Sequence, residues 1–299
     1  MRIVKIFVVL GAFLFIVSSF GAFPHYSPET GNQAFQPATS SNTYVLLVHG
    51  YAVADTGGTP TSTPFTSGVN VYNQLVSEGY IVGLVSYYGT FTVTFSNGYT
   101  YTNSNFQGTA NTPIQDISNQ LGDFITSFSS GQHINLDIVA HSMGGLVTMY
   151  MLEHFTFPNV NLENVIFIAS PFGGSPFASV AQYLGLGWYV GTEAYQMVSG
   201  SSFLNDLHNN LGNAYNNFGH TTWIAYAGNY DPWWGYLFFS GDNDGVVSVN
   251  SAFDVPLNHG YVFGDIHTSS LDWLTWDGVS YFEDQSVANE ISYNLAGYY

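Results

Sequence analysis

Basic side chains are almost missing from this chain. Only two of its 299 residues are Lys or Arg, against 20 Asp and Glu. Both, Arg2 and Lys5, stand at the extreme N-terminus. Nucleic acids and anionic membranes are bound through clustered Lys and Arg, so neither is expected as a partner. Lys–carboxylate and Arg–carboxylate salt bridges are excluded from the rest of the chain, whose carboxylates repel one another at neutral pH. Charged residues make up 7% of the sequence, far below the roughly 25% of an ordinary soluble domain. Cysteine is absent, which excludes disulfide staples and thiol chemistry. Stability must come from a core, and a content of 46% hydrophobic and 17% aromatic residues permits a large one. The length suits one large α/β domain or two small ones.

Arg2 and Lys5 precede an apolar run from Ile6 to Val17, then Ser18, Ser19, Gly21 and Ala22 around Phe20. A positive start, an apolar middle and a small-residue end describe a secretory signal over residues 1–22, cut after Gly21 or Ala22. The alternative is an uncleaved membrane anchor, because the apolar stretch through Phe23 is just long enough to span a thin bilayer. Residues 23–42, rich in Pro, Ser, Asn and Thr, read as an extended leader to a domain at 43–299. Loss of the two basic residues with the signal would move the formal charge from −18 to −20. In strong acid those carboxylates are neutral and nine His carry nearly all the charge. An acidic extracellular niche is therefore expected, or else a general adaptation to an uncharged polar surface.

Strands are predicted at Thr43–Val48, Tyr80–Tyr87, Ile134–Ala140, Val165–Ala169, Trp223–Ala227, Leu237–Ser240 and Tyr261–Asp265. Helices are predicted at Val69–Glu78, from Thr112-Pro113 to about Ser129, at Met143–His154 and at Val287–Leu295. Thr112 with Gln115 reads as a capping box. Phe91–Phe95 and Tyr99–Asn103 alternate around Asn97-Gly98, the strongest short hairpin signal, and are expected to form an excursion outside the main sheet. Residues 171–219 are long for a connection and read as a cap or lid insertion over the sheet edge. Strands alternating with helices argue for a mostly parallel sheet covered on both faces.

Three segments carry chemistry. Ala140-His141-Ser142-Met143-Gly144-Gly145 lies between a strand and a helix. A nucleophile elbow needs small residues two before and two after its serine, and Ala140 and Gly144 stand there. Such a turn would project the Ser142 hydroxyl and set the Met143 N–H at a helix start, where an oxyanion is favoured. Leu46-Leu47-Val48-His49-Gly50-Tyr51 is the second. Gly50 permits a turn that aims the Tyr51 N–H as a second oxyanion donor, and His49 reads as a structural histidine holding the loop. The third is Gly241-Asp242-Asn243-Asp244-Gly245-Val246-Val247. Asp244 is the candidate acid, because an Asp-Gly turn would point its carboxylate back towards the sheet. Asp242 is the alternate, and an Asp-rich turn or a calcium site are competing readings. The base must follow, leaving His267 beyond the last strand or, as alternate, His259 before it. Active sites form beyond the carboxyl ends of strands, which favours His267.

These residues resemble the true-lipase branch of the α/β-hydrolases, which includes secreted bacterial triacylglycerol lipases. The resemblance is carried by Val48-His49-Gly50-Tyr51, by 140–145, by Ser170-Pro171-Phe172-Gly173-Gly174-Ser175, and by Asn243-Asp244-Gly245-Val246-Val247 with Ser251-Ala252. Ser199-Gly200-Ser201-Ser202-Phe203-Leu204 resembles a family segment more loosely. It implies the α/β-hydrolase fold, an ester or lipid substrate, attack by Ser142, Asp244 and His267 as its partners, and oxyanion donors at Tyr51 and Met143. It implies no organic cofactor. Some relatives hold a structural calcium, but no ligand set is readable here. Apolar residues of 171–219, among them Phe177, Leu184, Trp188, Tyr189 and Phe203, suit either an acyl groove or plain packing. An acyltransferase on the same fold is the nearest rival, and a non-catalytic cell-surface protein is the rival from another class. The sequence points to no obligate protein partner.

Overall fold

The computed structural model describes residues 43–51, 63–176, 187–232, 239, 241–267 and 279–298. The signal and leader over 1–42 lie outside them, as do the proposed strand at 237–240, apart from residue 239, and residues 177–186 of the proposed lid. No helix among the described residues is long and apolar enough to cross a membrane.

The elements run β1 (Thr43–Val48), α1 (Thr63–Thr66), α2 (Val71–Ser77), β2 (Ile81–Ser86), β3 (Gly89–Phe95), β4 (Thr100–Gly108), α3 (Ile114–Phe128), β5 (Ile134–His141), α4 (Met143–His154), β6 (Val160–Ile168), α5 (Gly187–Gln196), α6 (Ser202–Asn217), β7 (Thr222–Gly228), α7 (Val249–Ala252), β8 (His259–Phe263) and α8 (Gln285–Leu295). The strands form one sheet in the order β4-β3-β2-β1-β5-β6-β7-β8. The six strands β2-β1-β5-β6-β7-β8 are mutually parallel.

Alternation along β1 explains the two layers. Leu46 and Val48 face a core shared with Ile117, Leu121 and Phe124 of α3 and Leu146 of α4. Val45 and Leu47 face a second core with Val71 and Leu75 of α2 and Val287 and Ile291 of α8. A period-2 strand buried on both faces needs apolar residues at every position, which is why it reads as a continuous run. In α3 the buried Ile114, Ile117, Leu121, Phe124 and Ile125 recur at helical spacing. Each stabilises the fold by about 1.5–3 kcal/mol on burial. Helix α4 is apolar nearly all round because it is buried nearly all round.

Three expectations need correction. The Asn97-Gly98 hairpin forms, but β3 pairs antiparallel with β2, so it extends the sheet and covers an edge that would otherwise be open. No capping box forms at α3. Thr112 Oγ1 accepts from the Thr109 N–H instead, and Gln115 Oε1 accepts from the Gln196 side chain. Finally, α6 is not an insertion over an edge. It is the crossover helix between parallel β6 and β7, with Phe203, Leu204 and Leu207 inside the main core. Boundaries also move: α2 starts at Val71, β6 begins at Val160, and the last strand is His259–Phe263.

Candidate active site

Four chain segments meet at the carboxyl end of the parallel sheet. Val48 of β1 and Ala140 of β5 are directly paired, so the residues that follow each strand emerge side by side. Beyond β5 the chain turns at once into α4. Ser142 takes φ 54° and ψ −128°, a conformation that costs a non-glycine residue about 1–3 kcal/mol. The turn is locked from both sides. Ser142 N–H donates to Ile168 O at 2.8 Å. A Cβ on Gly144 would lie 2.4 Å from His49 O, and one on Gly145 would lie 1.9 Å from Ser170 Oγ. Ala140 is wholly buried beneath.

The Ser142 hydroxyl lies 2.9 Å from His267 Nε2. His267 Nδ1 lies 2.8 Å from Asp244 Oδ2. All three residues are buried. Asp244 is held by its own turn: Oδ1 accepts from the Val246 and Val247 N–H groups at 2.9 and 2.7 Å. His267 N–H donates to Asp244 O at 3.0 Å, which ties the two loops together. The segment 170–175 braces the same turn, through Ser175 Oγ to Val246 O and Ser251 Oγ to Gly174 O.

The two alternates lie elsewhere. Asp242 is exposed, and its carbonyl serves as acceptor for Val249 N–H. His259 opens β8, paired with Ile224, at the strand's amino end. Gly50 packs directly on the serine, since a Cβ there would stand 2.7 Å from Ser142 Cβ. Tyr51 follows it, half-buried. Met143 is the first residue of α4 and fully buried. First-turn N–H groups of a helix have no carbonyl of their own helix to bond, and the dipole makes that end favourable to an anion.

His49 contacts Gly50 O through Nδ1 at 2.7 Å and stacks on Tyr87 at 3.9 Å between ring centres. Burial lowers its pKa to about 4. The Tyr87 hydroxyl donates to the carbonyls of both His49 and Gly50, so the loop before Tyr51 is fixed by two buried rings. His141 is buried with its ring 4.9 Å from that of His267 and 4.9 Å from Phe282. Burial, then the neighbouring His267, push its pKa well below the usual histidine range. It packs as a neutral plate behind His267.

Sequence reasoning missed two residues. The Tyr281 hydroxyl donates to Asp244 Oδ2 at 3.1 Å. Gly228, ending β7, leaves the space for this: a Cβ there would stand 2.5 Å from the Tyr281 hydroxyl oxygen and 2.7 Å from Asp244 Cβ. Gly228→Ala is therefore expected to destabilise the fold by about 1–3 kcal/mol through overpacking, read as a lowered thermal midpoint. An unchanged midpoint would show that the Asp244 loop is free to move away. Among the described residues no three His, Asp or Glu side chains converge as metal ligands.

No family model matches the chain, and no curated protein matches it in sequence. Solved structures do match in shape. The mature form of Bacillus licheniformis lipase BlEst2 superposes with a TM-score of 0.54 at 16% identity, over 89% of this chain and 96% of that one. The propeptide form gives 0.54 at 18% identity, over 84% of this chain and 54% of that one. Phospholipase PlaB from Legionella pneumophila gives 0.56 at 16% identity, over 84% of this chain and 59% of that one. At such identities the likeness is one of fold, and the fold is that of the α/β-hydrolases.

Proposed function

We propose that this chain is a serine hydrolase of carboxylic esters, working through an acyl-enzyme on Ser142. The observation that carries the reading is the hydrogen-bonded series Asp244–His267–Ser142 at the carboxyl end of the sheet. His267 Nε2 takes the Ser142 proton as Oγ attacks the ester carbonyl carbon. The carbonyl π pair moves to oxygen, and the Tyr51 and Met143 N–H groups stabilise the oxyanion. Collapse re-forms the carbonyl and breaks the ester C–O bond, and His267 returns its proton to the leaving alkoxide. Water then attacks the acyl carbon as His267 Nε2 takes its proton, the bond from that carbon to Ser142 Oγ breaks, and His267 returns the proton to Oγ. Asp244 holds the His267 ring with Nε2 facing the serine and stabilises the imidazolium.

Lipid esters are the substrate class we assign, because the proteins of like fold include a lipase and a phospholipase. The signal-like N-terminus supports secretion, and the scarcity of Lys and Arg, two residues in 299, supports acidic surroundings. A fluorophosphonate probe, with digestion and mass spectrometry, tests the nucleophile. The adduct is expected on the peptide holding Ser142, and Ser142→Ala is expected to lose both the label and hydrolysis of a short-chain chromogenic ester. Labelling or turnover that survives this substitution sinks the assignment. Repeating the assay with added alcohol separates water from an alcohol as acyl acceptor.

A further inference from the structure

The Asp244 carboxylate receives more than its own turn and His267 give it. The Tyr281 hydroxyl meets Oδ2, the same oxygen that His267 Nδ1 approaches. Tyr281 comes from the stretch between β8 and α8 and is completely buried. The bare Cα of Gly228 keeps open the space in which its hydroxyl and Asp244 meet. Burial and the nearby Asp244 and Asp265 hold its ionisation well above that of a free tyrosine. It therefore keeps its proton and can donate to a carboxylate throughout acid and neutral pH.

The other titratable groups here are few. His267 and Asp265 come from the loop after β8. His141 comes from the end of β5. Asp284 caps α8 beside Asp265. Burial, with Asp284 and Asp244 nearby, pushes Asp265 up to about 8, and His141 is held neutral. Asp265 is thus uncharged in acid, and neither it nor His141 hydrogen-bonds to the Asp244 side chain among the described residues.

We infer that Tyr281 is a positioning residue, whose hydroxyl fixes Asp244 Oδ2 against His267 Nδ1 by donating a hydrogen bond to that oxygen. The inference rests on the Ser142–His267–Asp244 reading above. A hydrogen-bond donor to a carboxylate favours the charged form, and an ionised Asp244 is what keeps the imidazole oriented. Losing the donor withdraws that hydrogen bond from the carboxylate that His267 leans on.

The test is kcat and KM against pH, across the acid and neutral range, for the full chain with a short-chain chromogenic ester. Wild type, Tyr281→Phe and Ser142→Ala are compared, together with a chain carrying ring-fluorinated tyrosine at 281. Tyr281→Phe is expected to lose about 10-fold in kcat and to move the acid limb up by about one pH unit, with KM changed less than about twofold. The fluorinated ring keeps the shape but donates more strongly, so its acid limb is expected to move down. That variant decides the matter if Tyr281→Phe does not fold. An acid limb that stays in place in the fluorinated chain, or in a folded Tyr281→Phe even with kcat reduced, overturns the role. With Ser142→Ala inactive, that failure leaves the triad standing. An active Ser142→Ala overturns the triad and this role together.

Discussion

His267→Ala is expected to lower kcat for ester hydrolysis by roughly 10⁴- to 10⁶-fold while the chain stays folded. The loss is large because the serine hydroxyl is a weak nucleophile with no base to take its proton. His267 Nε2, 2.9 Å away, is the one ring nitrogen that reaches Ser142 Oγ among the described residues. The fold survives because Asp244 is not abandoned. It keeps the Val246 and Val247 N–H groups and the Tyr281 hydroxyl when the imidazole leaves. A buried carboxylate left with three donors is far less costly than one left with none. The double variant Ser142→Ala, His267→Ala is expected to be no slower than either single one, since the two residues act as a unit. His259→Ala serves as the control, because that side chain starts β8 and lies away from Ser142. Steady-state rates on a chromogenic ester check all four proteins. A loss below tenfold for His267→Ala, or a large one for His259→Ala, moves the base elsewhere.

The candidate site was legible where backbone sterics dictate residue type. The elbow around Ser142 tolerates no side chain at 144 or 145, where a Cβ would run into His49 O or Ser170 Oγ. That requirement is written in the local sequence as small residues. The Asn-Asp-Gly turn is similar, with Gly245 at φ 92° and Asn243 Oδ1 accepting from its N–H. Tyr281 was illegible for the opposite reason. It is one of 22 tyrosines, and its place beside Asp244 depends on how the segment before α8 folds back over β7. Tertiary competition defeated the capping box as well: Gln115 finds a partner 81 residues away in Gln196, which local spacing cannot foresee. The strands were readable because burial on both faces leaves long apolar runs. Helix α6 hides its role locally, because its polar face is rich in Asn and only Phe203, Leu204, Leu207 and Ala214 are buried.

Stability is expected to peak near pH 4 and to fall steadily towards pH 8. Asp137, Glu153, Glu193 and Asp265 are all buried. Burial pushes Asp137, Glu193 and Asp265 up to about 8, and Glu153 up to about 9. No Lys or Arg stands anywhere among the described residues to oppose this. In the unfolded chain such carboxyls titrate near pH 4, at about 3.9 to 4.3. Between those limits the folded state binds more protons than the unfolded one, so raising the pH favours unfolding. Four such groups together give a slope of up to about 5 kcal/mol per pH unit, comparable to the whole stability of a typical domain, about 5–15 kcal/mol. Two histidines pull the other way. His49, lowered to about 4, and His141, held well below the usual histidine range, resist protonation when folded, while unfolded imidazoles take protons below about pH 6.5. Stability through these two is lost as the pH falls from there. Four groups outweigh two above pH 4. Below it the carboxyl contribution is flat, so stability stops rising there. Thermal unfolding across this range checks it. The midpoint at pH 4 is expected to exceed that at pH 8 by about 10 °C or more. Glu153→Gln is the diagnostic variant, because neither carboxyl oxygen has a hydrogen-bond partner among the described residues. Removing that one titration flattens the descent by roughly 1 kcal/mol per pH unit. A midpoint that rises from pH 4 to pH 8 would mean that these carboxyls ionise in place. The scarcity of Lys and Arg would then have nothing to do with acid.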